Sequence, residues 1–282
     1  PGRLSHVRLL FVFGVDSPPH SQQHVHRESV EHGDVLVGSF DDSPNPPRTK
    51  KTTGLKTLLG AKWLVDNDCI LDNSAIVMIN DSVFVNITLL SPALLSLLKT
   101  TNSSSRFWIG DVRAGARPKH CKLDVGFVVS YPAIKHLYRW SWANKLFPSA
   151  EITLATAAVS GNWSVLRNSK IIPPPAFSNP CSTTTVTLSR GYQLTEVLLN
   201  RRTHAVVLRH CRDPPLHAVL PHQNISNEKL FQTTLDFKLN PATTCKDDSG
   251  TQEMFLSMLI NSKPENTARR QAIRETWGKL TS

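Results

Sequence analysis

Apolar and polar positions alternate along this chain in blocks that read as strand, helix, strand. His6–Gly14 is a near-continuous apolar run that ends on a glycine, the pattern of a buried strand. A polar stretch with His20, His24, His26 and His32 follows; its spacing fits no helix face or familiar metal site and reads as a solvated loop. Asp34–Val37 reads as a second strand, and Leu55–Val65 as a helix with apolar residues at helical spacing. Ala75–Ile79 is a third buried strand. It delivers Asn80-Asp81-Ser82 at its end, the place where α/β sheets put ligands. Ile87–Leu98 and Ala133–Lys145 read as helices, and Arg106–Asp111 as a strand.

From Ile171 onward the text is loop-like, with a β-prone run at Thr183–Leu188 and a short helix candidate at Thr195–Asn200. Residues 210–250 carry Pro214, Pro215, Pro221 and Pro241 with weak periodicity, as a linker or stem would. Order returns at Glu253–Ile260, a strand. Ser262-Lys263-Pro264-Glu265 then has the form of a capping box opening a helix that runs through Trp277 to Gly278. Alternating strands and helices predict an α/β sandwich with a largely parallel sheet.

Composition changes this picture little. With 282 residues, 40% hydrophobic and 19% charged, the chain has an ordinary globular make-up. No apolar run reaches the roughly 18 residues of a membrane helix. The start, Pro1-Gly2-Arg3-Leu4, has no initiator Met and no signal-like apolar stretch, which reads as a piece of a longer protein. A net charge of +10 suits a polyanionic ligand, a nucleotide diphosphate among them. The basic residues are scattered and no zinc-finger or RNP-type motif accompanies them, so nucleic acid is not the expected partner. Five well-separated cysteines form no CxxC pair, and N-x-S/T sequons at Asn80, Asn86, Asn102, Asn162 and Asn224 point weakly to a secretory compartment.

The most specific text closes the chain. Arg269-Arg270-Gln271-Ala272-Ile273-Arg274-Glu275-Thr276-Trp277-Gly278, with Phe255–Ser262 before it, resembles the opening motif of the β-1,3-galactosyltransferase and N-acetylglucosaminyltransferase family, glycosyltransferase family 31. Val7–Gly14 is similar to that family's second strand. Glu28, His32–Leu36, Phe40, Asp42 and Leu55–Leu59 resemble the stretch leading to its metal motif. Val83-Phe84-Val85-Asn86, Gly110-Asp111-Val112 and Arg117-Pro118 resemble segments that follow it. The order is unusual, because segments that open the family's domain stand last here.

The resemblance divides the chain into 1–205, a transferase domain lacking its opening strand and helix; 206–250, a stem-like linker; and 251–282, an opening strand and helix. The last belongs either to the next copy of a tandem, which the stem-like text favours, or to a permuted single domain. It implies a GT-A-like nucleotide-sugar fold, incomplete or permuted, and inverting transfer of a hexose from a UDP-sugar to a glycan acceptor. It also implies manganese as cofactor and a Golgi membrane location, luminal side, through an anchor outside this chain.

Site residues follow position by position. The family's three metal-motif aspartates align with Asn80, Asp81 and Ser82, which leaves Asp81 as the metal ligand, since hard carboxylate oxygens suit such a cation, or as a cap of the turn after a buried strand. The family's catalytic aspartate aligns with Glu151, which serves as the base or is a surface glutamate. Arg270 and Arg274, i,i+4 on one helix face, are positioned to hold a diphosphate or to pair with surface acids, with Ala272 and Ile273 toward the opposite side. Lys56 faces a phosphate or lies on a solvated helix face; Trp277 is a core anchor or a stacking platform; Asp42 matches a family position. Because the motifs are altered, a second function stands beside transfer: a degenerate domain that binds sugar, nucleotide or a partner enzyme without turnover.

Overall fold

The computed structural model describes residues 7–15, 19–42, 49–67, 70, 72–81, 83–85, 87–102, 104–109, 111–112, 121–122, 127–144, 150–166, 207–209, 235–241 and 256–281. The strands are β1 (Val7–Val15), β2 (Val35–Asp41), β3 (Ala75–Asn80), β4 (Val83–Val85), β5 (Phe107–Ile109), β6 (Asp111–Val112), β7 (Cys121–Lys122), β8 (Phe127–Ser130), β9 (Ser164–Leu166), β10 (Val207–Arg209), β11 (Phe237–Leu239) and β12 (Leu256–Asn261), of which β1, β2, β3, β5 and β12 fall where the apolar runs predict them. Between them lie α1 (Pro19–His32), α2 (Thr49–Asp66), α3 (Ile87–Thr100), α4 (Tyr131–Ala143), α5 (Ala150–Ser160) and α6 (Thr267–Glu275), the last running into a 3₁₀ turn over Trp277–Thr281. The candidates at Thr183–Leu188 and Thr195–Asn200 fall outside the described residues.

Eight strands make one mixed sheet in the order β11-β2-β1-β12-β3-β8-β5-β9. Its central four, β2, β1, β12 and β3, are parallel. The chain's last strand is thus inserted between its first and third, with Leu256–Asn261 in register with Val7–Val12 on one side and Ala75–Asn80 on the other. Its residues are buried on both faces up to Ile260, as a strand covered by helices on both sides must be. The closing segment therefore does not stand apart from the rest of the chain.

Two apolar layers cover the sheet. One joins α2, α4 and α5 through Leu59, Trp63, Ile134, Leu137 and Leu154. The other joins α1, α3 and α6 through Val25, Leu90, Leu94, Ile273 and Trp277. The architecture is a three-layer α/β/α sandwich.

Three expectations are corrected. The histidine-rich stretch is helix α1 and not a loop; its inward residues are Val25 and Glu28, with His24 and His26 exposed. One apolar residue leaves no periodic stripe to read, because a buried anion takes the second inward position. Gly33 ends the helix at φ +63, a conformation that costs glycine little, and its N–H bonds the Ser29 carbonyl. The span read as a linker supplies β10, which pairs with β4, and β11, which edges the main sheet beside β2. The capping box at Ser262 does not form: α6 begins after Asn266, and Ser262 turns to other partners.

At the far end of the sheet, Trp163 Nε1 donates to His136 Nδ1 at 3.3 Å, and the rings meet edge to face. The accepting nitrogen must be unprotonated. Burial, and then the charge of Arg106, lower the His136 pKa from 6.5. On acidification the unfolded chain therefore takes up this proton first, so stability falls as pH drops below 6.5 through the folded value. NMR titration of the imidazole should give a midpoint below 6.5; a midpoint at or above it would contradict the hydrogen bond as described.

Candidate functional site

Parallel strands expose their carboxyl ends at one edge of the sheet, and there β1, β2, β12 and β3 bring polar residues together. β3 ends at Asn80 and presents Asp81, whose N–H is held by the Asn261 carbonyl at the end of β12. β12 in turn leads into Ser262, whose N–H bonds Val12 of β1. Beside them β1 passes close to the end of β2. A Cβ at Gly14 would stand 2.3 Å from the Phe40 carbonyl oxygen, so only glycine fits where the pairing of these two strands shifts register.

Asp81 is 7% exposed and its carboxylate is engaged on both oxygens. Oδ2 accepts from Ser262 Oγ and from Asn266 Nδ2, each at 2.7 Å. Oδ1 accepts from Arg269 Nη1 at 3.4 Å. The Arg269 side chain is 46% exposed, so this guanidinium lies between the carboxylate and solvent.

Behind Asp81 sits a buried pair. Lys56, from α2, has its ammonium 2.7 Å from Asp42 Oδ2 and donates to the Ser262 carbonyl at 2.7 Å. Asp42 also accepts from the Gly14 N–H at 3.3 Å. Burial lowers the Lys56 pKa, against the opposing pull of Asp42 and Asp81, while the positive charge of Lys263 adds to the lowering. Lys56 thus faces neither solvent nor an open phosphate position. It ties α2 to the β12–α6 turn.

Arg270 and Arg274, expected to hold a diphosphate or to pair with surface acids, point inward. Arg270, Ile273, Arg274 and Trp277 form an i, i+3, i+4, i+7 stripe that faces the sheet, so Ile273 shares the arginine face and does not oppose it. Arg270 is fully buried. Its Nε and Nη2 grip Glu28 of α1 at 2.7 and 2.6 Å, and its remaining donors reach Ser262 Oγ, Thr267 Oγ1 and the Lys263 and Pro264 carbonyls. Arg274 holds Asp34 bidentately at 2.7 Å and Glu28 at 2.8 Å. The guanidinium groups lie over the Phe13 and Phe11 rings, 4.7 and 4.8 Å from the centroids.

These contacts make a continuous chain of charge: Asp34, Arg274, Glu28, Arg270, Ser262, Asp81, Arg269. Its inner part locks α1 and α6 to the sheet, and its outer end, Arg269, reaches solvent. Trp277 is 4% exposed and belongs to the core, the anchor role and not a stacking platform. Glu151 is the second residue of α5.

No family model and no curated protein matches the chain. Among the described residues no three His, Cys, Asp or Glu side chains gather as a metal site, and no helix is long and apolar enough to cross a membrane.

Two residues that engage Asp81 escape sequence reasoning. Asn266 carries no signal beyond its place before α6. Arg269 stands beside the arginines singled out, but helical spacing alone does not tell which of the three turns outward.

Proposed function

We propose that the protein is a nucleotide-sugar transferase of the GT-A type, moving a hexose from a UDP-sugar to a glycan hydroxyl with inversion. One observation carries this reading: the parallel strands stand in the order β2, β1, β12, β3 across the sheet. β1 leads outward to β2 and the chain then crosses back to β3 beyond β12, so strand order reverses at the junction where β12 sits; ligands of open α/β sheets bind outside the carboxyl ends of strands at such a reversal. Asp81, Ser262, Asn266 and Arg269 stand at that junction. The closing motif and the segments around Asp42, Lys56 and Asp81, alike in their resemblance to β-1,3-hexosyltransferases, converge on the same edge.

In the transfer, the acceptor oxygen forms a bond to the anomeric carbon as the bond from that carbon to the diphosphate breaks. UDP leaves, and the acceptor proton passes to a carboxylate base. Glu151 is assigned that role by resemblance. The acceptor is a glycan on protein or lipid, and the location is the luminal side of the Golgi membrane. The exposed sequon asparagines Asn102 and Asn162 suit that compartment.

A second reading, binding without turnover, is favoured by the full engagement of Asp81. The two separate in an assay of UDP release from UDP-galactose and UDP-N-acetylglucosamine with glycan acceptors. Transferase function predicts acceptor-dependent release that falls about 100-fold or more in Glu151→Gln. Nucleotide binding with no release in the wild type supports the binding module, and neither binding nor release overturns both the transferase and a module that binds nucleotide.

A further inference from the structure

The metal that the resemblance implies does not fit the residues present. A hard dication bound through an aspartate triplet draws on several carboxylate oxygens with lone pairs to spare. Here neutral Asn80 replaces one carboxylate and Ser82 another, so the motif retains a single acid. That acid's oxygens already accept from Ser262, Asn266 and Arg269. A cation entering there would displace a guanidinium of its own sign and strip two 2.7 Å hydrogen bonds that hold the β12–α6 turn.

We infer that Asp81 is not a metal ligand but the counter-ion of Arg269, and that Arg269 supplies the positive charge that meets the diphosphate. The inference rests on the nucleotide-sugar reading above and deepens it, by making donor binding independent of a divalent metal. Arg269 suits the part. It is the outermost group of the charge chain, half-exposed, and oriented by a carboxylate that is itself fixed by Ser262 and Asn266. A guanidinium offers several N–H donors in a plane that matches phosphate oxygens. Lys263 is a second cation on the same turn, its side chain 36% exposed and only loosely paired with Glu265 at 3.7 Å. Arg270, Arg274 and Lys56 are committed to internal carboxylates. Among the described cations of this turn, Arg269 and Lys263 are the ones exposed to meet a ligand.

Two titrations on the full chain test this. Manganese is titrated alone and followed by the EPR signal of the free ion, using wild type and Asp81→Asn. UDP is titrated calorimetrically in EDTA and in manganese, using wild type and Arg269→Ala. The expected result is the same manganese behaviour in both proteins, and UDP affinity equal within about twofold in the two buffers but at least about tenfold weaker in Arg269→Ala. A saturable manganese site lost in Asp81→Asn, or UDP binding that requires manganese, overturns the inference and leaves the transferase reading intact. Unchanged UDP affinity in Arg269→Ala overturns the role of Arg269. Absence of UDP binding in either buffer overturns the nucleotide reading and the Arg269 role with it; the manganese titration then decides Asp81 by itself.

Discussion

A chain ended after residue 250 is expected to lose its cooperative unfolding transition altogether. The deleted segment supplies β12, which is hydrogen-bonded to β1 and β3 along its whole length. Its removal leaves two facing, unpaired strand edges in the middle of the sheet, where water cannot satisfy them without opening both layers. Leu256, Met258, Leu259, Ile260, Ile273 and Trp277 leave the core with it. At about 1.5–3 kcal/mol for each large apolar side chain, that loss matches or exceeds the roughly 5–15 kcal/mol by which domains are stable. Arg270 and Arg274 go too, stranding Glu28 and Asp34. Chemical denaturation followed by circular dichroism should show no sigmoidal transition for the truncated chain, and added 251–282 peptide should restore one. A truncated chain that unfolds as sharply as the full one would mean that β12 does not occupy the centre of this sheet.

Arg270→Met comes next in expected effect. The substitution keeps a long apolar stem against Phe13 but leaves the Glu28 carboxylate buried with part of its charge unmatched, and the Lys263 and Pro264 carbonyls without their donor. Breaking one partner of a buried ion pair costs about 3–5 kcal/mol. The pH dependence carries a second signature. In the wild type, burial pushes the Glu28 carboxyl up, but the hydrogen bonds and charges of Arg270 and Arg274 outweigh it and hold the carboxyl below its ordinary 4.5. Below about that pH the unfolded chain takes up the proton first, so this stabilisation is complete above 4.5 and is lost as pH falls through the lower folded value. In Arg270→Met the balance tilts toward burial, protonation relieves the orphaned acid, and the gap between variant and wild type should narrow on acidification. Urea midpoints at pH 7 and pH 4 measure both effects. A gap under about 1 kcal/mol at pH 7, or one that does not change with pH, would contradict the buried pairing. Arg270→Met with Glu28→Leu should recover part of the loss, because the two charges leave together.

The parallel strands were legible because strands covered on both faces read as unbroken apolar runs, as Ala75–Ile79 and Leu9–Phe13 do. Helix α2 was legible from its apolar spacing. Helix α1 was not, since its inward side is Val25 and Glu28, and an acid buried by remote arginines carries no mark in local text. The same blindness applied at α6. Spacing put Arg270 and Arg274 on one face, but which way that face turned depended on Glu28 and Asp34, some 240 positions away. Asp81 was found from its place at a strand end, whereas its engagement by Asn266 and Arg269 follows from β12 lying next to β3. Chain order, with that strand written last, does not disclose this.

Hydrogen exchange of the full chain, with and without UDP in EDTA, probes whether the β12–β3 junction is where a nucleotide diphosphate binds. Slowed exchange is expected in peptides covering residues 79–85 and 261–270, with the rest of the sheet unchanged. Protection confined to other segments, or none at saturating UDP, would contradict a donor site at this edge.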